Sequence, residues 1–365
     1  MTVLLSVSRA RQLAVCIAFI SIFLATQSPA EAARKSTSWL SVPVFYATTR
    51  ARIQKKDGYG EYRNLVRDGQ GIEYGIVTVR IEVADTQPDK VAMVKLGWKQ
   101  ASKKERKTVD YDHLNDEDFY KALLSRHQSS PSRESCVFVH GYNNKFESAA
   151  KSAARLEVAL KEPVVLFSWP SVGKAKAYVR DECNAEWSVR PFQVFMQGLE
   201  KKFDSENLMT VSHSMGNRLI NWYFLSRYDR NKQNPPKFKE VVLTSPDIDR
   251  ATFKNYFFKV AGNAAKTRIY ISDKDLPLRL SKFVHGGARV GSTITKEENK
   301  WNMPGNIRSA QTVNFSTIDS GRLGHSIQYK VISSMHKSDQ PGDGLVAEED
   351  KTYKGNYILI RQTSK

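Results

Sequence analysis

Ser214 stands in the run LMTVSHSMGNRLINWYFL, which passes without a break from β-type residues through Ser212-His213-Ser214-Met215-Gly216 into a helical pattern. A sharp strand-to-helix turn holds its central residue out above a sheet edge in strained backbone geometry, and it needs small residues two positions to either side. Ser212 and Gly216 are those neighbours, with serine where the common pattern has glycine. A serine hydroxyl that attacks a carbonyl also needs a base to take its proton and N–H donors to hold the oxyanion. Met215 N–H, at the opening of the helix, is one candidate donor. The other is Tyr142 N–H, in the run CVFVHGYNN, where a strand ends in His140-Gly141-Tyr142-Asn143 just before a helix. Gly141 would let backbone approach the site closely. His140 is either part of this oxyanion loop or a core imidazole beside an ordinary turn, and His213 is read as packing or support.

The base must come later, because chain order in this arrangement is nucleophile, acid, histidine. Three histidines follow Ser214 and the candidate acids: His285, His325 and His336. His285 precedes the last core strand, and His336 falls late in a helix-like stretch, 326–336. His325 lies in the glycine-rich run Ser320-Gly321-Arg322-Leu323-Gly324-His325-Ser326, directly after that strand, and is the expected base. Two aspartates compete as the acid: Asp275, in YISDKD, and Asp247, in TSPDID. Asp275 is favoured because it follows the penultimate strand, from which the imidazole must be oriented. Asp247 and Asp249 would then cap the next segment, and Asp273 and Asp319 are weaker candidates.

These residues need a sheet to hold them. Strands are expected at 136–140, 163–168, 208–212, 240–244, 268–272 and 312–318, each ending in turn-forming residues and separated by helical patterns. That alternation is the mark of βαβ units and a mostly parallel sheet. Helices are expected at 116–128, at 144–161 and at 215–228. The second of these carries Phe146, Ala149, Ala150, Ala153, Leu156 and Leu160 on one stripe. Residues 38–85 read instead as antiparallel strands, including 42–48 and 75–83, around a polar stretch at 51–71. The fold class is therefore α/β, specifically the α/β-hydrolase fold: a mostly parallel central sheet with helices on both faces and an antiparallel N-terminal part. Trp169-Pro170-Ser171 and residues 172–187 fall above the same sheet edge, where they either shape a substrate pocket or lid or simply connect elements.

Composition sets the surroundings. Arg9 and Arg11 precede an apolar run at 13–25, and Ala30-Glu31-Ala32 supplies an A-x-A arrangement, so residues 1–32 are expected to be a cleaved signal peptide and the protein to be exported, periplasmic or secreted. This thirteen-residue run falls short of the ~20 residues that span a bilayer. The hydrolase domain is expected over 33–339, with a tail at 340–365. The 365 residues carry a net charge of +18, which raises nucleic-acid binding as a rival. The one dense basic run, Lys103-Lys104-Glu105-Arg106-Lys107, lacks any accompanying nucleic-acid motif. Specific nucleic-acid binding is not expected; an anionic envelope surface is the weaker functional reading of the charge. Cys136 and Cys183 lack the close pairing of zinc ligands, so no metal site is implied, and free thiols are favoured over a disulfide. No cofactor and no obligate protein partner is expected.

The segments VPVFYATTR, VFVHGYNNKFESAA, VLFSWPS, VSHSMGNRLI, SPDIDRATF, IYISDKDLPLRLS and GHS occur in that order. Together they resemble a bacterial α/β-hydrolase family of unknown function that is described as esterase- or lipase-like. The resemblance spans about 42–329 and implies Ser214, Asp275 and His325 as a catalytic triad. Pro277 stands where the family motif carries alanine. The expected activity is that of a serine hydrolase acting on small-molecule or lipid esters through an acyl-enzyme. The alternatives are an acyltransferase using the same triad and a catalytically inactive binding protein of the envelope, since fold does not fix function.

Overall fold

Five-residue runs such as Ser135–Val139 and Val164–Ser168, buried along their whole length, can be satisfied only in the middle of a sheet covered on both faces. They form such a sheet here. The computed structural model describes residues 37–53, 61–66, 71–84, 109–231, 235–292, 310–318, 325–342, 344–349 and 356–361. The expected signal peptide, the basic run at 103–107 and the glycine-rich lead into His325 lie outside these residues. One compact unit comprises Trp39–Glu82 and Leu96–Lys365. Of the other, Met1–Ser38 with Val83–Lys95, only Thr37, Ser38, Val83 and Ala84 are described.

The N-terminal strands are β1 (Thr37–Thr48), β2 (Arg50–Ile53), β3 (Glu61–Val66), β4 (Glu73–Ala84) and β5 (Val109–Leu114), followed by α1 (Asp116–Ser129). The central part runs β6 (Ser135–Val139), α2 (Phe146–Leu160), β7 (Val164–Ser168), α3 (Tyr178–Trp187), α4 (Val189–Glu200), β8 (Leu208–His213) and α5 (Asn217–Arg230). Then come β9 (Phe238–Thr244), α6 (Arg250–Gly262), β10 (Ala264–Ile271), α7 (Leu276–His285), β11 (Ala310–Asn314), α8 (Tyr329–Ser338), β12 (Leu345–Glu349) and β13 (Asn356–Arg361).

Eleven strands make one sheet in the order β12-β13-β11-β10-β9-β8-β6-β7-β1-β4-β5, and β2 pairs with β3 apart from it. The strands from β7 through β6, β8, β9 and β10 to β11 are parallel. The antiparallel character expected at the N-terminal end is present in β4 with β5 and in β2 with β3. β1 differs: Phe45–Thr48 run parallel to Val165–Ser168 of β7. Its apolar residues Val44, Phe45, Tyr46 and Ala47 are buried, which suits a strand inside the sheet. The segment set apart as a tail, 340–365, contributes β12 and β13, with β13 parallel to β11, so the sheet reaches Arg361.

The helical stripe of α2 is buried at all six expected positions. α2 packs on β7 and α8, and α5 packs against α3, α4 and α6. From β6 the chain moves outward to β7 and then returns to the other side of β6 as β8, continuing to β9. In open parallel sheets ligands bind at such a reversal, beyond the C-terminal ends of the strands, here β6 and β8. Among the described residues no helix is long and apolar enough to cross a membrane.

Candidate active site

Ser214 follows directly on β8, and its φ of 52° puts it in the left-handed region. For a residue with a side chain that is a strained conformation. Six non-glycine residues among those described share it; three of them, Asn143, Ser214 and Ser245, follow β6, β8 and β9 at the same sheet edge. Close backbone approach explains the small neighbours. A Cβ on Gly216 would stand 2.4 Å from the carbonyl oxygen of His140, and one on Gly141 would stand 2.8 Å from both His213 Nδ1 and Ser214 Cβ. Ser212 fits without glycine because its hydroxyl donates to Asn217 Oδ1 at 2.7 Å inside the core. Asn217 in turn donates to the carbonyls of Ser214 (2.9 Å) and Thr244 (3.1 Å), tying the turn to α5 and β9. A short 3-10 turn, Ser214–Gly216, leads into α5, so the helix begins two residues later than its pattern suggested.

His325 and Asp275 meet. His325 Nδ1 lies 2.6 Å from Asp275 Oδ2, and Asp275 is 1% exposed. The other carboxylate oxygen accepts from Leu278 N–H at 2.9 Å, which makes Asp275 the N-cap of α7. The cap fixes the carboxylate independently of the histidine. Pro277, the departure from the family motif, falls in the first turn of α7, where its missing N–H breaks no helical bond. His213, next to Ser214 in the chain, reaches the same histidine: its Nε2 lies 3.1 Å from the carbonyl oxygen of His325, and the two rings are 4.6 Å apart. A carbonyl only accepts, so His213 donates from Nε2. Burial first, and then the neighbouring His325, hold the His213 pKa well below its usual value, so the ring is a neutral spacer.

Asp247 donates its backbone N–H to the Ser214 carbonyl at 3.3 Å, but its side chain has other partners. Its Oδ1 accepts from Ser281 Oγ at 2.6 Å and lies 3.3 Å from Arg289 Nε; its Oδ2 accepts from the Tyr178 hydroxyl and lies 4.0 Å from Arg218 Nη2. It does not cap α6, as had been expected; Asp249 does, accepting from Thr252 N–H at 2.8 Å. A cavity of about 460 Å³ lies on this side, lined by Arg218, Trp222, His285 and Arg289 among others. Ser214, Asp275 and His325 are absent from its lining. α3 borders this cavity through Val179, Glu182 and Cys183, so residues 172–187 contribute to its wall, and Tyr178 of α3 packs its ring against Tyr142 at 5.2 Å. Cys183 is exposed and Cys136 is buried in β6; both are free thiols.

His336 is remote from Ser214. It contacts Glu240 near the start of β9 and Glu134 just before β6, at the N-terminal edge of the parallel strands.

The loop carrying Tyr142 rests on residues that the sequence did not single out. Arg50, fully buried, donates from Nε to Ser168 Oγ at 2.9 Å, from Nη1 to Ser171 O at 3.0 Å and from Nη2 to Asn144 O at 2.8 Å. Burial lowers its pKa to about 9 despite nearby Asp181, which leaves it a cation at neutral pH. Asp181 accepts from Ser171 Oγ (2.6 Å), Val172 N–H (2.6 Å) and Asn143 N–H (3.2 Å). One cation and one anion thus clamp the loops after β6 and β7. Trp169, placed by sequence at a possible substrate pocket, is 0% exposed; it stacks on His140 at 5.0 Å and donates from Nε1 to the His140 carbonyl at 2.7 Å. Burial first, then Arg50, push the His140 pKa down to about 3, so His140 is a neutral core imidazole. Tyr142 N–H meets no backbone carbonyl among the described residues. The sequence signal for Arg50 was slight: an arginine closing the apolar run VFYATTR.

No curated protein matches the chain. Among solved structures it is similar over 44% of its length, at 15% identity and a TM-score of 0.24, to a hyperthermophilic esterase from the archaeon Pyrobaculum calidifontis, of which it spans 64%, less than two thirds. Over 46% of its length, at 13% identity and a TM-score of 0.27, it is similar to esterase PE8, of which it spans 88%. The family model for the alpha/beta hydrolases of unknown function (DUF900) matches residues 116–335, more than half of the chain, and the chain belongs to that family.

Proposed function

We propose that this protein is an exported serine hydrolase that cleaves carboxylic esters through an acyl-enzyme, with Ser214 as nucleophile, His325 as base and Asp275 as the orienting acid. The observation that carries this reading is the His325 Nδ1 contact to buried Asp275, made by a histidine whose backbone is held by the ring next to Ser214. Donation from Nδ1–H to Asp275 selects the tautomer with a free lone pair on Nε2. Nε2 then takes the Ser214 Oγ proton as Oγ bonds to the ester carbon. Met215 and Tyr142 N–H groups stabilise the oxyanion. The imidazolium returns the proton to the leaving alkoxide as the ester C–O bond breaks. Water, deprotonated by the same nitrogen, splits the acyl-enzyme and regenerates Ser214.

A fluorophosphonate tests this without knowledge of the substrate. The purified protein should be labelled at Ser214, located by mass spectrometry, with no labelling of Ser214→Ala and strongly slowed labelling of His325→Ala. Well-folded protein that resists the reagent would overturn the reading in favour of an inactive binding protein. Export is checked by whether the N-terminus of the protein recovered from the cell envelope begins near residue 33.

A further inference from the structure

A helix packed on a sheet normally turns its apolar stripe inward. α7 does the reverse. Leu276, Leu280, Phe283 and Val284 recur at the spacing of one helical face, and they are 46%, 59%, 86% and 52% exposed. The residues it buries are Leu278 and Ser281, on the opposite side. Four of the ten large exposed hydrophobics among the described residues therefore lie on this one ten-residue helix. Exposed apolar faces of this kind mark docking surfaces.

Charge identifies the occupant. Lys274, Arg279 and Lys282 are exposed alongside the stripe, and over residues 273–285 the one exposed acid is Asp273. Asp275 is buried against His325. The whole chain carries +18, which draws it toward negatively charged surfaces over long range. Aromatic and aliphatic side chains on one face with basic residues beside them are the pattern of a helix lying in a membrane interface. α7 is already folded and held by its inner face and its Asp275 cap, so docking would order nothing new.

We propose that the outer face of α7 docks onto an anionic lipid bilayer, seating the chain with Leu280, Phe283 and Val284 in the acyl boundary and Lys274, Arg279 and Lys282 at the headgroups. Asp275 is both the cap of this helix and the partner of His325. The docked face thus begins one residue from the proposed catalytic centre. Resting on the hydrolase reading, this makes the substrate an ester presented at a lipid surface, such as a lipid or an acylated envelope component.

The test uses the full chain carrying Ser214→Ala, so that no lipid is consumed. Co-sedimentation should show binding to vesicles of equal parts phosphatidylcholine and phosphatidylglycerol, on the order of tenfold weaker binding to phosphatidylcholine alone, and loss of binding at about 1 M salt, where the Debye length falls to roughly 3 Å. Phe283→Asp in the same chain should reduce binding on the order of tenfold or more, which separates α7 from the apolar run at residues 13–25. Arg279→Gln with Lys274→Gln should weaken binding and flatten its salt dependence. Absence of binding to the mixed vesicles, or equal binding by a Phe283→Asp protein with unchanged circular dichroism, would overturn the proposal. So would self-association abolished by Phe283→Asp, read by light scattering, without vesicle binding, since the face would then join two copies. Vesicle binding by α7 in a protein that resists fluorophosphonate would keep the docking surface and remove only the hydrolase reading.

Discussion

Asp275 and Asp247 follow neighbouring parallel strands, and both are 1% exposed, yet their surroundings differ in kind. Among the described residues, the Asp275 side chain has one imidazole and one backbone N–H as partners and no guanidinium. Asp247 has two hydroxyls and lies within 4.0 Å of two guanidinium groups. A carboxylate already neutralised by arginines has little field left to stabilise an imidazolium. A carboxylate whose charge is opposed by a histidine alone would direct that charge to the proposed proton-transfer step. Similar burial therefore supports two roles: Asp275 is suited to orient His325, whereas Asp247 cross-links α3, α7 and the loop ahead of α6.

The largest test of this contrast exchanges the charge alone. Asp275→Asn keeps an amide oxygen able to cap α7 but presents the wrong group to Nδ1, so the fluorophosphonate labelling rate should fall on the order of 10⁴-fold, as tautomer loss does in serine triads, with little change in melting temperature. Asp247→Asn should do the opposite. It leaves Arg289 and Arg218 facing a neutral group, and thermal or urea unfolding should show a loss of about 3 kcal/mol, with labelling slowed less than about tenfold. A reversal of the two outcomes would exchange their roles.

His336 provides a second carboxylate–imidazole contact, at the far edge of the sheet, as a structural control. Burial works to lower its pKa and is outweighed by hydrogen bonds to Glu134 and Glu240, so the pKa is raised to about 9. A histidine whose folded pKa exceeds its unfolded value of about 6.5 contributes stability that is full below that value and lost as pH rises through the folded pKa. His336→Gln should therefore cost on the order of 2–3 kcal/mol near pH 6 and little near pH 10, with labelling at Ser214 unaffected. An unfolding free energy whose difference from the parent stays flat from pH 6 to 10 would contradict this sign.

The smallest expected effect concerns strain on the Asp275 side. Ser214→Gly relieves a left-handed φ and should raise stability by about 1 kcal/mol, read by urea unfolding, while abolishing labelling. Ser214→Ala retains the backbone geometry and should not show the gain. Equal stabilities would mean that the turn carries no usable strain.

Much of the scaffold was legible. All six core strands appear within a few residues of their sequence limits, because parallel strands buried on both faces require continuous apolar runs and end in turn residues. The elbow at Ser214 was legible for the same local reason: a strand run, small residues at 212 and 216, then a helix. Residues 340–365 were harder, because edge strands such as β12 are half exposed and carry a mixed pattern. Trp169 stayed open, since an aromatic at a strand end suits a pocket wall and a loop support equally well.

The sequence by itself determined the order of elements, the turn that strains Ser214 and the short list of histidines and aspartates. Tertiary structure decided which of them touch. Asp275 and Asp247 leave adjacent strands, which lie only about 4.8 Å apart, so local pattern does not distinguish the one that faces His325, fifty residues away in the chain. Arg50 likewise acquires its place only when β1 pairs with β7 and brings it to Ser168, 118 positions later. Periodicity reports which face a side chain takes, whereas contact between side chains depends on ångström-scale placement among strands whose order the chain does not spell out.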